Sequence, residues 1–225
     1  MTYRLAVLRP EPGNAATVAR AQAAGFTTLS LPLFVVQAIA WEVPDAAQHD
    51  ALILTSANTL RFGGDGLAVL RGLPVFAVGP HTAAAARAAG FDVMATGDSD
   101  GAAIADLAAA QGFSRALYLT GLDRSLEPRG AIARAVPVYH SVARLLPVDA
   151  VGSLVGTVAL LHSARAARRL GEVIDAAGVD RNRMAVAAFS PAIQAAAGPG
   201  WAATAVAAAP DDAALFQAIR TLPTL

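Results

Sequence analysis

The sequence predicts an α/β protein made of two similar doubly wound parallel-sheet domains, and three observations lead there. Short, almost continuously apolar runs alternate along the chain with alanine-rich segments of helical period, the pattern of a parallel sheet covered on both faces. Four stretches of the chain find counterparts, in the same order, elsewhere in it. Two β-rich, proline-containing stretches that fit neither pattern stand apart from these repeats.

Each element follows from its residues. Strands are expected at 4–8, 51–55, 75–78, 116–119, 157–161 and 185–188, each too short for a helix and apolar nearly throughout. Leu215, Ala218, Ile219 and Leu222 repeat at i, i+3, i+4 and i+7, and Ile104, Leu107, Ala108 and Gln111 nearly so. After Ser163, the residues Ala167, Leu170, Ile174 and Ala177 take one helical face while Arg165, Arg168, Arg169 and Glu172 take the other. Gly25, Gly90 and Gly178 follow helical stretches, where a left-handed C-terminal cap is wanted.

The repeats pair VLRPEPG from Val7 with YLTGLDR from Tyr118, and DALILTSAN from Asp50 with TVALLHSAR from Thr157. VFAVGPHTAAA from Val75 pairs with VAAFSPAIQAA from Val186, and GDSDGAA from Gly97 with APDDAAL from Ala209. The odd stretches, 31–41 and 135–147, read as two crossings of the chain between domains. The expected division is therefore 1–35 with 145–225 as one discontinuous domain and 41–136 as the other, with 36–40 and 137–144 as connecting strands.

Composition excludes whole chemistries. The 225 residues carry 17 basic and 17 acidic side chains, four histidines and no cysteine, and every basic residue is arginine. Without lysine there is no Schiff base and no P-loop lysine; without cysteine there is no thiol nucleophile or thiolate metal site. His49, His81, His140 and His162 show no metal-ligand spacing, so no metal is expected. A balanced charge argues against nucleic acid as a partner. The opening MTYRLAVLRP reads as a first strand rather than a signal peptide, and no apolar run is long enough for a membrane span, so a cytoplasmic protein is expected.

Ligands of open parallel sheets bind beyond the carboxyl ends of the strands. There the sequence places Arg9, Thr55, Ser56, Asn58, Gly79, Thr82, Thr120, Gly121, His162, Ser163 and Ser190. Most open a helix, where unpaired N–H groups favour anions, but helix capping alone also accounts for each turn. Adjacent His162 and Ser163 point in different directions and make no nucleophile–base pair, and Asp98, Asp100, Asp211 and Asp212 read as caps. No GxGxxG follows the first strand and no GxSxG occurs. Tyr139, in VPVYHSV, is either a packing aromatic or a hydroxyl at the site.

The order LRP, a leucine–proline strand, TSAN, VFAVGPHTAAAARAAGFDV, LYLTG, VYHSV, LLHSARAARRL and AAAPDDAALFQAI resembles the uroporphyrinogen-III synthase family. The resemblance implies two α/β domains joined by a two-stranded connection, with the active site in a cleft between them. It implies cyclisation of hydroxymethylbilane to uroporphyrinogen III, with inversion of ring D, loss of water and no cofactor, through a spiro intermediate. Tyr139 matches the family's tyrosine in the VY strand and Thr82 its threonine in the V-G-x-x-T turn. Ser56 and Ser163 match the serines of two further turns, and Ser190 lies in the last one. Arg9 is the leading candidate for a substrate carboxylate. The upstream hydroxymethylbilane synthase is the candidate partner, and a monomer is expected. Two places depart from the family pattern: Ala192 and Ile193 stand where a threonine is common, and the segment 121–136 is short. The alternative from another class is a non-catalytic two-domain sensor of a small anion; a third, a cofactor-using transferase, finds no supporting motif.

Overall fold

The computed structural model describes residues 3–123 and 129–223. In chain order its elements are β1 (Arg4–Val7), α1 (Gly13–Ala23), β2 (Thr27–Ser30), β3 (Phe34–Ala38), β4 (Leu52–Leu54), α2 (Ala57–Phe62), β5 (Val75–Val78), α3 (Pro80–Ala88), β6 (Val93–Gly97), α4 (Gly101–Ala110) and β7 (Ala116–Gly121). There follow β8 (Ile132–Ala143), α5 (Val148–Gly152), β9 (Thr157–Leu161), α6 (Ala164–Ala176), β10 (Ala185–Ala188), α7 (Pro191–Ala196), β11 (Ala203–Val206) and α8 (Asp212–Ile219). The chain divides into two units, one running to Val35 and resuming at Val142, the other Val36–Ser141. It passes from one to the other within β3 and within β8. Part of the short segment 121–136, residues 124–128, lies outside the described residues.

In the first unit the sheet order is β11-β10-β9-β1-β2, with every pairing parallel. Alternation along each strand sends side chains to two separate cores. Ala6, Leu8, Ala159, Leu161, Val186 and Ala188 join Leu170 and Ile174 of α6. Leu5, Val7, Val158, Leu160, Ala185 and Ala187 face the other way, against Leu215, Phe216 and Ile219 of α8. Burial on both faces is why these strands read as continuous apolar runs.

The second unit has the order β3-β8-β7-β4-β5-β6, parallel from β8 to β6. Leu52, Leu54, Val75, Leu117 and Leu119 fill one face, and Ile53, Phe76, Tyr118 and Ile104 of α4 the other. The bonds from Ile39 N–H to Val138 and from Arg144 N–H to Leu33 run in opposite order along the chain, so β3 lies antiparallel to β8. Setting the extra edge strand β3 aside, the orders correspond strand by strand: β8, β7, β4, β5 and β6 occupy the places of β2, β1, β9, β10 and β11. The internal repeats of the sequence therefore mark equivalent places in two sheets.

All six strands expected from the apolar runs are present, with ends shifted by at most two residues. Three more, β2, β6 and β11, were not expected. They are edge strands whose side chains are largely half-buried or exposed, so TTLS, VMATG and ATAV never form an apolar run. Among the described residues no helix is long and apolar enough to cross a membrane. Leu170, with no exposed surface at the centre of the α6 face, is expected to be a keystone of the first unit. Leu170→Ala should lower stability by about 2–5 kcal/mol, read from the shift in urea midpoint.

Candidate functional site

Parallel pairing puts every strand-end turn of a unit at the same edge of its sheet, so each edge can be built residue by residue. In the second unit Leu54 pairs with Leu119, which sets Thr55 beside Thr120 one residue further on. Their hydroxyls meet on a shared partner: Tyr118 Oη lies 2.9 Å from Thr55 Oγ1 and accepts from Thr120 Oγ1 at 3.0 Å. Tyr118 is fully buried, so this triad closes the sheet edge with neutral, mutually satisfied groups.

Tyr139 comes to this edge through an irregularity in the β7–β8 ladder. Thr120 pairs with Pro137 but Gly121 pairs with Tyr139, so Val138 is an extra residue at that point. A bulge of this kind re-aims the side chain that follows it, and Pro137 has no N–H to keep the ladder regular. The Tyr139 ring then lies across Gly121, where an added Cβ would be 2.6 Å from the ring. Phe62 packs beside it at a centroid distance of 6.3 Å. The Tyr139 hydroxyl has no hydrogen-bond partner among the described residues, in contrast with that of Tyr118.

The turns themselves behave as helix starts. Ser56 Oγ accepts from Asn58 N–H, Ser163 Oγ from Ala166 N–H and Ser190 Oγ from Ile193 N–H. Each hydroxyl keeps its own proton free to donate. Asn58 Oδ1 accepts from Arg61, whose other nitrogen lies 3.4 Å from His81 Nε2. Gly79 caps α3 at φ 79°, a left-handed geometry natural to glycine, and offers no side chain to the helix N–H groups. Thr82 is buried within the first turn of α3.

The first unit's edge is charged where the second's is neutral. Val7 pairs with Leu160, so two residues further Arg9 and His162 lie side by side. Phe189, continuing β10, meets the His162 ring edge-on at 4.5 Å. His162 Nε2 lies 3.1 Å from Asp212 Oδ1, and its buried Nδ1 has no hydrogen-bond partner among the described residues. Asp212 Oδ2 accepts from Thr17 Oγ1 at 2.8 Å and from Arg20 Nε and Nη2 at 2.8 and 2.6 Å. The side chains of His162 and Asp212 are only 7% and 4% exposed, so the carboxylate is buried, while its cationic partner Arg20 reaches it from a half-exposed position.

Burial alone would raise the Asp212 carboxyl, but the bonds from His162, Thr17 and Arg20 outweigh it and hold the group well below the usual carboxylate range. Burial lowers His162, with Asp212 opposing and Arg9 adding to the effect, so the imidazole is neutral with its proton on Nε2. Burial also lowers Arg9, against the attraction of Asp212, yet a guanidinium stays charged.

Asp212 corrects the reading of the acidic residues as caps. Asp100 and Asp211 do cap α4 and α8, whereas Asp212 turns inward. The caps also put Asp100 opposite Asp211, one residue off the sequence alignment of the repeat. Thr17, Arg20, Tyr118 and Asp212 were missed as parts of the sheet edges. The available signal was parity: positions 5, 7 and 9 and positions 158, 160 and 162 share one face of neighbouring strands, and so bring Arg9 to His162. The expectation that His162 and Ser163 do not pair agrees with their separate partners.

Comparison with known proteins gives the family. The model of uroporphyrinogen-III synthase HemD matches residues 15–217. The uroporphyrinogen-III synthetase of Helicobacter pylori 26695 has the same fold, at a TM-score of 0.66 and 17% identity, over 99% of this chain and 100% of that one. A substituted uroporphyrinogen III synthase of the extremely thermophilic bacterium Thermus thermophilus is similar at a TM-score of 0.53 and 17% identity, over 97% of this chain and 98% of that one. No curated protein sequence matches the chain.

The network also predicts acid sensitivity. His162 and Asp212 both bind protons less readily in the fold than in the unfolded chain, so stability falls as pH drops. The first loss begins below about pH 6.5, where an unfolded histidine titrates, and the second below about pH 3.8, where an unfolded aspartate does. Urea midpoints measured against pH should show both losses in the wild type. His162→Leu should remove the first and Asp212→Asn the second. The spread of the match over nearly the whole chain, joined to the two-sheet architecture, settles the kinship: the chain belongs to the uroporphyrinogen-III synthase family.

Proposed function

We propose that this protein cyclises hydroxymethylbilane to uroporphyrinogen III, with Tyr139 assisting departure of the terminal hydroxyl and the strand-end turns holding the acidic substituents. The observation that carries the assignment to Tyr139 is its hydroxyl, which has no partner among the described residues, on a ring seated against Gly121 at the carboxyl edge of its sheet. A donor of this kind lowers the barrier by hydrogen-bonding an oxygen as its C–O bond breaks; the electron pair leaves with the oxygen, which takes up the proton of the pyrrole N–H and departs as water. The azafulvene that remains is attacked by the substituted carbon of ring D, giving the spiro pyrrolenine. Fragmentation and reclosure in the inverted sense complete the product, the proton lost from the ring D carbon being regained at the pyrrole nitrogen.

Much of the reaction needs geometry rather than force, since the bilane ionises readily and closes unaided to the uninverted isomer. Ser56, Ser163 and Ser190 each retain a hydroxyl proton for a carboxylate, and the uncapped first turn of α3, shaped by Gly79 and reaching to Thr82, offers the N–H groups that follow Pro80, that of Gly79 itself being bonded to Gly97. Thr55 is held by Tyr118 and would support the turn from behind. We assign Arg9 to a carboxylate as its cationic partner. The protein would act as a monomer on the product of the synthase upstream.

Tyr139→Phe tests the assignment. Isomer III formation should slow by about 10-fold to 100-fold, the loss of one hydrogen bond to a charged group, with the melting temperature unchanged. Undiminished turnover would remove Tyr139 from the reaction.

A further inference from the structure

The hydrogen-bonded group at the first unit's edge sets two guanidiniums, Arg9 and Arg20, against one carboxylate, Asp212, and Arg9 is the one left over. Among the described residues Asp212 is the one carboxylate bonded within the group, and each of its oxygens already accepts: Oδ2 from Thr17 and Arg20, Oδ1 from His162. Arg9 stands within Coulombic reach of that carboxylate but bonds to none. The one hydrogen bond of its guanidinium among the described residues is a long contact of 3.5 Å from Nη1 to Thr17 Oγ1. A half-buried guanidinium without an anion is costly, because burial strips water from a charge and nothing replaces it.

Two further observations show that the arrangement is built. The guanidinium lies across Gly13 at the start of α1, where a Cβ would come within 2.6 Å of Arg9 Nε. At the equivalent places of the second unit, Arg9 and His162 are replaced by Thr120 and Thr55, bridged by Tyr118, and Asp212 by Gly101. The three side chains of that triad carry no formal charge. The first unit has exchanged a closed neutral triad for a cation kept open.

We propose that His162 is a positioning residue for Arg9: by occupying Asp212 Oδ1 it prevents Arg9 from closing an internal ion pair, and so keeps the guanidinium available for a carboxylate of the substrate. Neutral imidazole suits this task, since it satisfies one carboxylate oxygen without adding a second cation beside Arg9. Without the Nε2–H donor, the freed oxygen and Arg9 would pair, and a carboxylate ligand would have to break that pair before binding. The inference rests on the synthase reading and adds to it the group that keeps a substrate contact open.

The test is a set of variants assayed with freshly generated hydroxymethylbilane. His162→Leu removes the donor, His162→Gln keeps an Nε2–H, and Arg9→Gln removes the cation. His162→Leu should raise KM about 10-fold to 100-fold with kcat within about threefold, and His162→Gln should restore most of the affinity. In the Arg9→Gln background, His162→Leu should add nothing further to KM, because the histidine acts through the arginine. Gly13→Ala, which crowds the guanidinium, should raise KM while leaving the melting temperature within a few degrees. An unchanged KM in His162→Leu, or effects of the two substitutions that simply multiply, would overturn the proposal. So would a parallel fall of kcat and melting temperature that His162→Gln repairs without any change in KM. If the wild type yields no isomer III, it is the synthase reading that fails. The coupling is then still read by titrating uroporphyrin III, which carries the same acetate and propionate groups, into the same variants.

Discussion

Parallel pairing of short strands covered on both faces is the constraint from which the rest of this structure follows. A strand of four or five residues with both faces buried can present polar groups only at its ends, and parallel neighbours bring those ends to one edge. Leu5, Val7 and Arg9 illustrate the rule within one strand: two residues in the core, then a charge as the core stops. The same alternation is repeated next door by Val158, Leu160 and His162, so the two polar residues arrive together. In the second unit the same rule delivers Thr55 and Thr120, and a bulge in the longer β8 adds Tyr139.

The two edges show how one architecture takes different chemistry. Tyr118 spends its hydroxyl on two threonines inside the second unit, and that of Tyr139, one strand away, has no partner among the described residues. In the first unit the buried Asp212 gathers donors from α1 and from the turn after β9, tying helices and sheet together. Buried ionic groups of this kind contribute little net stability over an apolar core, but removing one partner leaves a charge uncompensated. Their value here is in the placement of Arg9. Gly13 and Gly121 serve the two edges in the same way, each leaving out a Cβ so that a functional side chain can lie flat against the backbone.

Much of the fold was legible because the central strands are apolar on both faces, and the internal repeat pointed to two equivalent sheets. Edge strands such as β2 were not, since an exposed strand carries polar residues and its pairing comes from a neighbour distant in sequence. The serine turns were legible as caps, and all three serines do cap. Asp212 was not, because a carboxylate beside the genuine cap Asp211 looks the same in sequence whether it faces water or the interior. Only α8 packing against α1 turns it toward Thr17 and Arg20. Tyr139 was singled out by its motif, while the bulge that aims it depends on register, which no single sequence displays.

The chemistry asked of this chain suits what it has: no lysine, no cysteine, arginine as its only permanent side-chain cation, and hydroxyls at the strand ends. The central claim is that these groups steer a linear tetrapyrrole into the inverted ring. It is tested most directly by the isomer composition of the product. Hydroxymethylbilane generated in place is incubated with increasing amounts of the protein, and the oxidised porphyrins are separated by chromatography. The account predicts that isomer III rises with protein concentration until it dominates over isomer I. A product that stays isomer I at every concentration of the folded protein would contradict it.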